Sequence, residues 1–282
     1  MAELLNIFEF ALRGLFIGSL YALMASGLSL IFGVMRVINV AHGDFLMLGG
    51  YVAFFTWSWT QLNPIATLLV GMPLMFLFGM LIQRLLIERV IGRPQLSSLM
   101  LTFGISVVLW NVTQALFSPD PRGIPYLFEP IEIFGKYFAK NSLVIFGTSS
   151  AIALLLFLFM RAVSQNYEMA QVCGIDARKI RMLSFGLGSA LAAAAGAFVP
   201  IHFSLFPGVG QEYILKAFAV VVLGGLGSLP GAFVGGLLLG MVESLITFYL
   251  NVHLAYLMFY ATIVLVLLVR PGGLFGVGMV EE

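Results

Sequence analysis

Two acidic side chains in this chain lie inside apolar stretches, where a carboxylate needs a reason to be. Asp44 falls within VAHGDFLMLGG and Glu243 within LLLGMVESLITFYL. A charge at the centre of a bilayer costs ~2.5–3.5 kcal/mol on insertion scales, so a transport pathway or gate is the first chemistry to consider. Asn39 and His42, just upstream of Asp44, join the two acids as pathway or gating candidates. A structural role is the competing reading. Asp44 follows Gly43 near a helix start, where a carboxylate accepts backbone N–H groups. Glu243 is balanced between packing and pathway. So few ionisable groups argue against a proton relay.

Other chemistries find little footing. His42, His202 and His253 are far apart and lack zinc-type spacing. His202 and Ser204 have no elbow or metal motif to make them a base and a nucleophile. A phosphate-binding loop needs glycines followed by Lys-Ser or Lys-Thr. None of Lys136, Lys140, Lys179 and Lys216 precedes Ser or Thr, so the chain is not expected to hydrolyse ATP itself. The only cysteine is Cys173, which rules out an internal disulfide.

The elements that must carry these residues are membrane spans. The 282 residues are 61% hydrophobic and 10% charged, against about 25% charged in soluble domains. Mean hydropathy is +1.05. The runs are apolar all round rather than alternating, which predicts an all-α polytopic membrane protein and not a barrel. Net charge is +1, giving no reason to expect a nucleic-acid partner. The first apolar run lacks a basic leader and a small-residue cleavage site, so it reads as a retained span.

About eight or nine segments are expected: Phe8 to Phe32, Val40 to Trp59, Asn63 to Leu86, Leu96 to Phe117, Ser142 to Met160, Met182 to Phe203, Tyr213 to Leu223, Ala232 to Leu250 and Leu254 to Val269. The seventh is too short to cross alone and is followed by GGLGSLPG. It reads as part of a broken crossing helix. Small residues recur every four positions at Gly14, Gly18, Ala22 and Ser26, again at Gly188, Ala192 and Gly196, and at Gly236 and Gly240. Such stripes let another helix approach closely. GSLYALMASG from Gly18 and GSALAAAAG from Gly188 hint at two related halves. The loop from Ser118 to Asn141 carries four prolines and balanced charges.

The longest polar run with net positive charge, RAVSQNYEMAQVCGIDARKIR, spans 161–181. Val163, Tyr167, Ala170 and Cys173 share one helical face, opposite Gln165, Glu168 and Gln171, and Gly174 ends the helix. A short amphipathic helix between two spans suits docking into a groove on a partner. Arginines concentrate at 84–93, 161–181 and Arg270, which places those stretches on the cytoplasmic side. The 118–141 loop and the N-terminus then face outward. The chain is read as one transmembrane permease domain, 1–282, with a cytoplasmic coupling segment at 161–181.

Glu168-Met169-Ala170 followed by Gly174 resembles the EAA-x-x-x-G motif of ABC-importer permeases. Gly27 to Gly50, Lys216 to Ser244 and RPGGLFG from Arg270 are similar to the branched-chain amino acid permeases, specifically the shorter of their two permease subunits. One departure is visible: FLFM leads directly into Arg161-Ala162, where the family often has Thr-x-x-Gly. The resemblance implies a second permease subunit, two ATPase subunits that hold ATP and Mg, an external solute-binding protein, and a bacterial inner (cytoplasmic) membrane. No cofactor is expected in this chain. Tyr167, Glu168, Ala170, Gly174, Asp176 and Arg178 are the residues expected to couple to the ATPase. The expected cargo is a branched-chain or other small hydrophobic amino acid, with urea or short amides as an alternative. An ion-coupled secondary transporter using Asp44 and Glu243 is the rival class.

Overall fold

Close backbone approach at small residues decides which helices meet. The computed structural model describes residues 2–126, 129–133, 135–163, 176–270 and 272–275. Among them run nine α-helices and one hairpin: α1 (Ala2–Met35), α2 (His42–Thr60), α3 (Leu68–Leu85), α4 (Gln95–Phe117), β1 (Pro130–Ile133), β2 (Lys136–Ala139), α5 (Lys140–Val163), α6 (Ala177–His202), α7 (Val209–Gly224), α8 (Leu229–Tyr249) and α9 (Val252–Val269). Among the described residues, six helices are long and apolar enough to cross a membrane. The protein is an all-α, multi-pass membrane protein with one small hairpin.

The glycine stripes pack onto one another. The face of α1 carrying Gly14, Gly18 and Ala22 lies on Gly236 and Gly240 of α8. A methyl carbon added at Gly240 would sit 2.3 Å from the Gly18 Cα. The α6 stripe meets α1 and α2. An added carbon at Gly188 would lie 2.8 Å from the Gly27 carbonyl oxygen, and one at Gly196 would lie 1.9 Å from that of Leu46. These stripes invite helix partners, as expected, but the partners are in the same chain. The stripes are covered internally and say nothing about a second subunit. Leu69, Leu77, Met100, Leu116, Leu155, Leu257 and Leu268, on α3, α4, α5 and α9, are exposed instead. An apolar solvent such as lipid suits that outer surface.

The helix order repeats. A long helix, a non-helical stretch and three further helices occur as α1 to α4 and again as α6 to α9, with α5 between. The contacts are reciprocal. The first turns of α2 and α7 meet at Gly43 and Gly210. An added carbon on Gly43 would lie 2.1 Å from the Gly210 oxygen, and one on Gly210 would lie 2.8 Å from the Gly43 oxygen. Gly27 of α1 and Gly188 of α6 face each other in the same way. This is the arrangement anticipated from two related halves.

Two details differ from the sequence reading. The run after Gly224 does not interrupt a crossing helix. Gly225 and Gly227 take positive φ of 102° and 82°, Ser228 caps α8 by accepting the Gly231 N–H, and α8 folds back antiparallel to α7. Glycine there permits a left-handed reversal that other residues resist. The α7 helix has 16 residues, about 24 Å at 1.5 Å per residue. The non-helical part of its path is 203–208, just before it. The second detail is the loop between α4 and α5, which contains the ordered hairpin β1–β2.

The bundle has two distinct ends. At one, the Arg181 guanidinium pairs with Glu88, joining the arginine-bearing stretch after α3 to the start of α6. The Leu274 N–H reaches the Leu223 carbonyl at 2.8 Å and the Phe275 N–H that of Gly224, so Leu274 and Phe275 dock beside the end of α7. At the other end, Lys136 of the hairpin pairs with Glu9 of α1 at 2.9 Å. The Ile124 N–H donates to the Pro200 carbonyl at 2.6 Å.

Candidate functional site

A cavity of about 460 Å³ opens at the hairpin end, between α1, α6, α7, α8 and α9. Its volume falls in the ~300–1,000 Å³ range of small-molecule sites. Each wall has a local cause. The Gly14–Gly18–Gly240 contact holds α1 against α8. The non-helical stretch 203–208 carries Phe203, Ser204 and Phe206 across the top of α6 into the lining. The hairpin supplies Phe138, which is 1% exposed. Its ring stands edge-on to Phe16 at 5.9 Å and under the Arg13 guanidinium at 5.2 Å. Arg13 also donates to the Tyr137 carbonyl at 2.9 Å. The hairpin is therefore fastened to α1 over the cavity.

The polar centre of the cavity is an ion pair. Lys216 of α7 donates to Glu243 Oε1 of α8 at 2.7 Å and to the Tyr21 hydroxyl of α1 at 2.6 Å. The ammonium lies 4.7 Å from the Tyr21 ring centroid and 5.2 Å from that of Tyr256. Both charged side chains are largely buried, at 10% and 16% exposure. Such a pair offsets the desolvation of each member only while both remain. Glu243 Oε2 is buried with no hydrogen-bond partner. Lys216 has three donor hydrogens, and the two bonds above use two of them. The remaining lining mixes aromatic rings such as Phe16, Phe138 and Phe203 with polar and charged groups, among them Arg13, Glu212, Ser244 and Thr247.

The structure separates the residues expected to act together. Glu243 lines the cavity, whereas Asn39, His42 and Asp44 do not. These three are buried where α1 gives way to α2. His42 Nε2 donates to the Met24 carbonyl at 3.0 Å, which makes Nε2 the protonated nitrogen. Both side-chain polar atoms of Asn39 and both oxygens of Asp44 lack a partner within hydrogen-bond geometry. Asp44 does not cap its helix as the sequence reading allowed. Ala41 is the capping residue, and the Asp44 N–H is itself bonded to the Ala41 carbonyl at 3.0 Å. The tight turn from Asn39 to Asp44 uses these donors, and the carboxylate sits in the first turn on the favourable side of the helix dipole, with Ser106 as its side-chain neighbour.

Of the expected coupling residues, Tyr167, Glu168, Ala170 and Gly174 lie outside the described residues. Asp176 caps α6, its carboxylate accepting the Arg178 N–H at 2.9 Å. The Arg178 side chain reaches Glu88 at 4.0 Å.

Lys216, Tyr21 and Arg13 were missed by sequence reasoning. Lys216 carried a signal of the same kind as the two acids, because it sits inside the apolar run YILKAFAVVVL and a buried ammonium costs as much as a carboxylate. Tyr21 and Arg13 had none, since their importance comes from what they meet.

A glycine-packed helical bundle with reciprocal contacts, an apolar outer surface and a cavity holding a charged pair defines a membrane transport subunit. The family described as "Branched-chain amino acid transport system / permease component" matches residues 10–267, and the chain belongs to that family. It is 31% identical to the high-affinity branched-chain amino acid transport system permease protein BraD of Pseudomonas aeruginosa, covering 100% of each. It is 31% identical to the permease protein LivH of Escherichia coli K12, covering 96% of each. It is 30% identical to a probable branched-chain amino acid transport permease of Methanocaldococcus jannaschii, covering 92% of this chain and 89% of that one.

Proposed function

We propose that this chain is one permease subunit of an ABC importer that carries branched-chain amino acids across a bacterial inner membrane. The observation that carries this reading is the family match over nearly the whole chain, with relatives so named that align end to end. In this reading two ATPase subunits bind ATP and Mg, a second permease subunit completes the pathway, and an external binding protein delivers the amino acid. Tyr167, Glu168, Ala170 and Gly174 dock on an ATPase subunit. Asp176 and Arg178 anchor that segment to α6 and, through Glu88, to the end of α3. Movement at the arginine-bearing end then rocks α6 against α1 and α2, to which it is packed through small residues. The mostly apolar walls suit a Leu, Ile or Val side chain.

The test is ATP-driven leucine uptake by the complex of this chain with its partners in proteoliposomes. Leucine uptake that requires ATP and is lost in Gly174→Trp supports the reading. Intact uptake and ATPase assembly in Gly174→Trp would refute the coupling role. The rival, an ion-coupled carrier, draws on the unpaired Asp44 oxygens. It predicts gradient-driven uptake by the purified chain alone, lost in Asp44→Asn.

A further inference from the structure

The charges that line the cavity are not all compensated. Lys216, Glu243 and Tyr21 close on one another. Lys216 donates to the Glu243 carboxylate and to the Tyr21 hydroxyl, and that hydroxyl bonds the same carboxylate. On the hairpin side, Arg13 gives Nε and Nη2 to Glu9 and Nη2 to the Tyr137 carbonyl. Glu9 also pairs with Lys136 at 2.9 Å, so this trio carries a net positive charge. His202 lines the cavity within reach of the Arg13 charge. Glu212 is different. It stands in the first turn of α7, where a negative charge is favoured. Its side chain is exposed and lines the cavity. Among the described residues it has no hydrogen bond or ion pair. It is the one charged lining group without a counter-charge.

A reachable, uncompensated carboxylate in a cavity walled by rings selects for a cation. The Glu212 charge acts on Tyr213 and Tyr256, which share the lining. Ring faces are the negative part of an aromatic quadrupole, so they too favour an ammonium group over a carboxylate. The positive trio around Arg13 repels an ammonium group and leaves Glu212 as its destination. We propose that Glu212 is the ammonium-binding residue of this cavity, its carboxylate accepting from the α-amino group of the amino acid being carried. This rests on the amino-acid reading above and adds which group of the ligand the permease itself reads, and with which residue. The Lys216–Glu243 pair stays closed throughout and contributes no bond to the ligand. Phe16, Ile17 and Phe206 line the same space and receive the apolar side chain. An amine of the right shape is therefore recognised without its carboxylate, whereas the acid without its amine is not.

The experiment measures equilibrium binding of labelled leucine to the permease assembly in nanodiscs, without the solute-binding protein. Competitors are 3-methylbutylamine, which keeps the ammonium group and lacks the carboxylate, and 4-methylpentanoate, which does the reverse. The amine is expected to compete at least about tenfold better than the acid, the scale of one charge-assisted hydrogen bond. That gap is expected to persist at high salt, which screens a surface field more than a direct contact. Glu212→Gln is expected to weaken leucine binding by about tenfold and to close the gap between amine and acid. Glu212→Lys is expected to reverse it, with the acid competing better than the amine. Should neither variant assemble, the order of the two competitors on the wild-type assembly decides. Equal competition by amine and acid on the wild type, or an unchanged gap in Glu212→Gln, overturns the proposal. So does the absence of saturable leucine binding in an assembly that still imports leucine with its partners. An assembly that imports no amino acid at all sinks the transport reading instead, and the two failures are told apart.

Discussion

Lys216→Met strands Glu243. In the folded protein the Glu243 carboxylate is 16% exposed, with the Lys216 ammonium at 2.7 Å and one oxygen already unpartnered. Breaking a buried pair from one side costs about 3–5 kcal/mol, because the remaining charge stays desolvated without its counter-charge. The pair borders a cavity that admits some water, so the low end applies, about 3 kcal/mol for Lys216→Met. Tyr21 loses a hydrogen bond as well, worth about 1 kcal/mol. Lys216→Met combined with Glu243→Leu removes both charges and replaces them with apolar groups. That double variant is expected to be more stable than Lys216→Met alone, because replacing a buried pair by apolar groups is often close to neutral. The assay is reversible unfolding in mixed detergent micelles, run as a double-mutant cycle with both single variants. A coupling energy of about 2 kcal/mol or more is expected for two side chains in direct contact. Additivity within about 0.5 kcal/mol would refute the reasoning, since it would mean the two groups do not stabilise each other.

Glycines divide by surroundings. Gly49→Ala puts a carbon 2.3 Å from the Ala193 Cα and is expected to lower unfolding stability by more than about 2 kcal/mol, whereas Gly104→Ala, with nothing within 4 Å, is expected to raise it by about 0.5–1 kcal/mol; the same micelle unfolding reads both. Phe138→Ala removes the ring that pins the hairpin to Phe16 and Arg13. It is expected to cost about 3 kcal/mol and to speed protease cleavage within residues 118–141, and an unchanged cleavage rate counts against the docking. Asp176→Ala deletes the α6 cap and is expected to lower stability by about 1 kcal/mol. Asp176→Asn or Asp176→Ser should restore it, because either side chain can accept the Arg178 N–H, and a loss that neither restores points to the charge rather than the cap.

Much of the architecture was legible from local pattern. Hydropathy runs marked each of the nine helices among the described residues because apolar stretches separated by polar turns stand out, and six of these helices are long enough for a bilayer crossing. Small residues four apart marked the closest contacts, since that spacing lines one helix face. The hairpin was not legible: PIEI and KYFA are too short and too mixed in polarity to stand out beside four prolines. Its order comes from Lys136 and Phe138 docking on α1.

The same division applies to the site. Sequence alone determined that Glu243 and Asp44 are unusual, because an acidic residue inside an apolar run is visible in the chain itself, whereas what that charge costs depends on the partners the fold gives it. It could not say that the two lie apart. Tertiary structure placed Glu243 in the cavity and gave it Lys216, which is 27 positions away and comes within reach only because Gly225 and Gly227 turn α8 back along α7. It likewise brought Tyr21 to Lys216 across 195 positions, through a glycine contact between α1 and α8. A one-dimensional pattern records which residue is charged or small. Which faces meet is decided by packing many helices at once, and in this protein that packing assembled the ion pair.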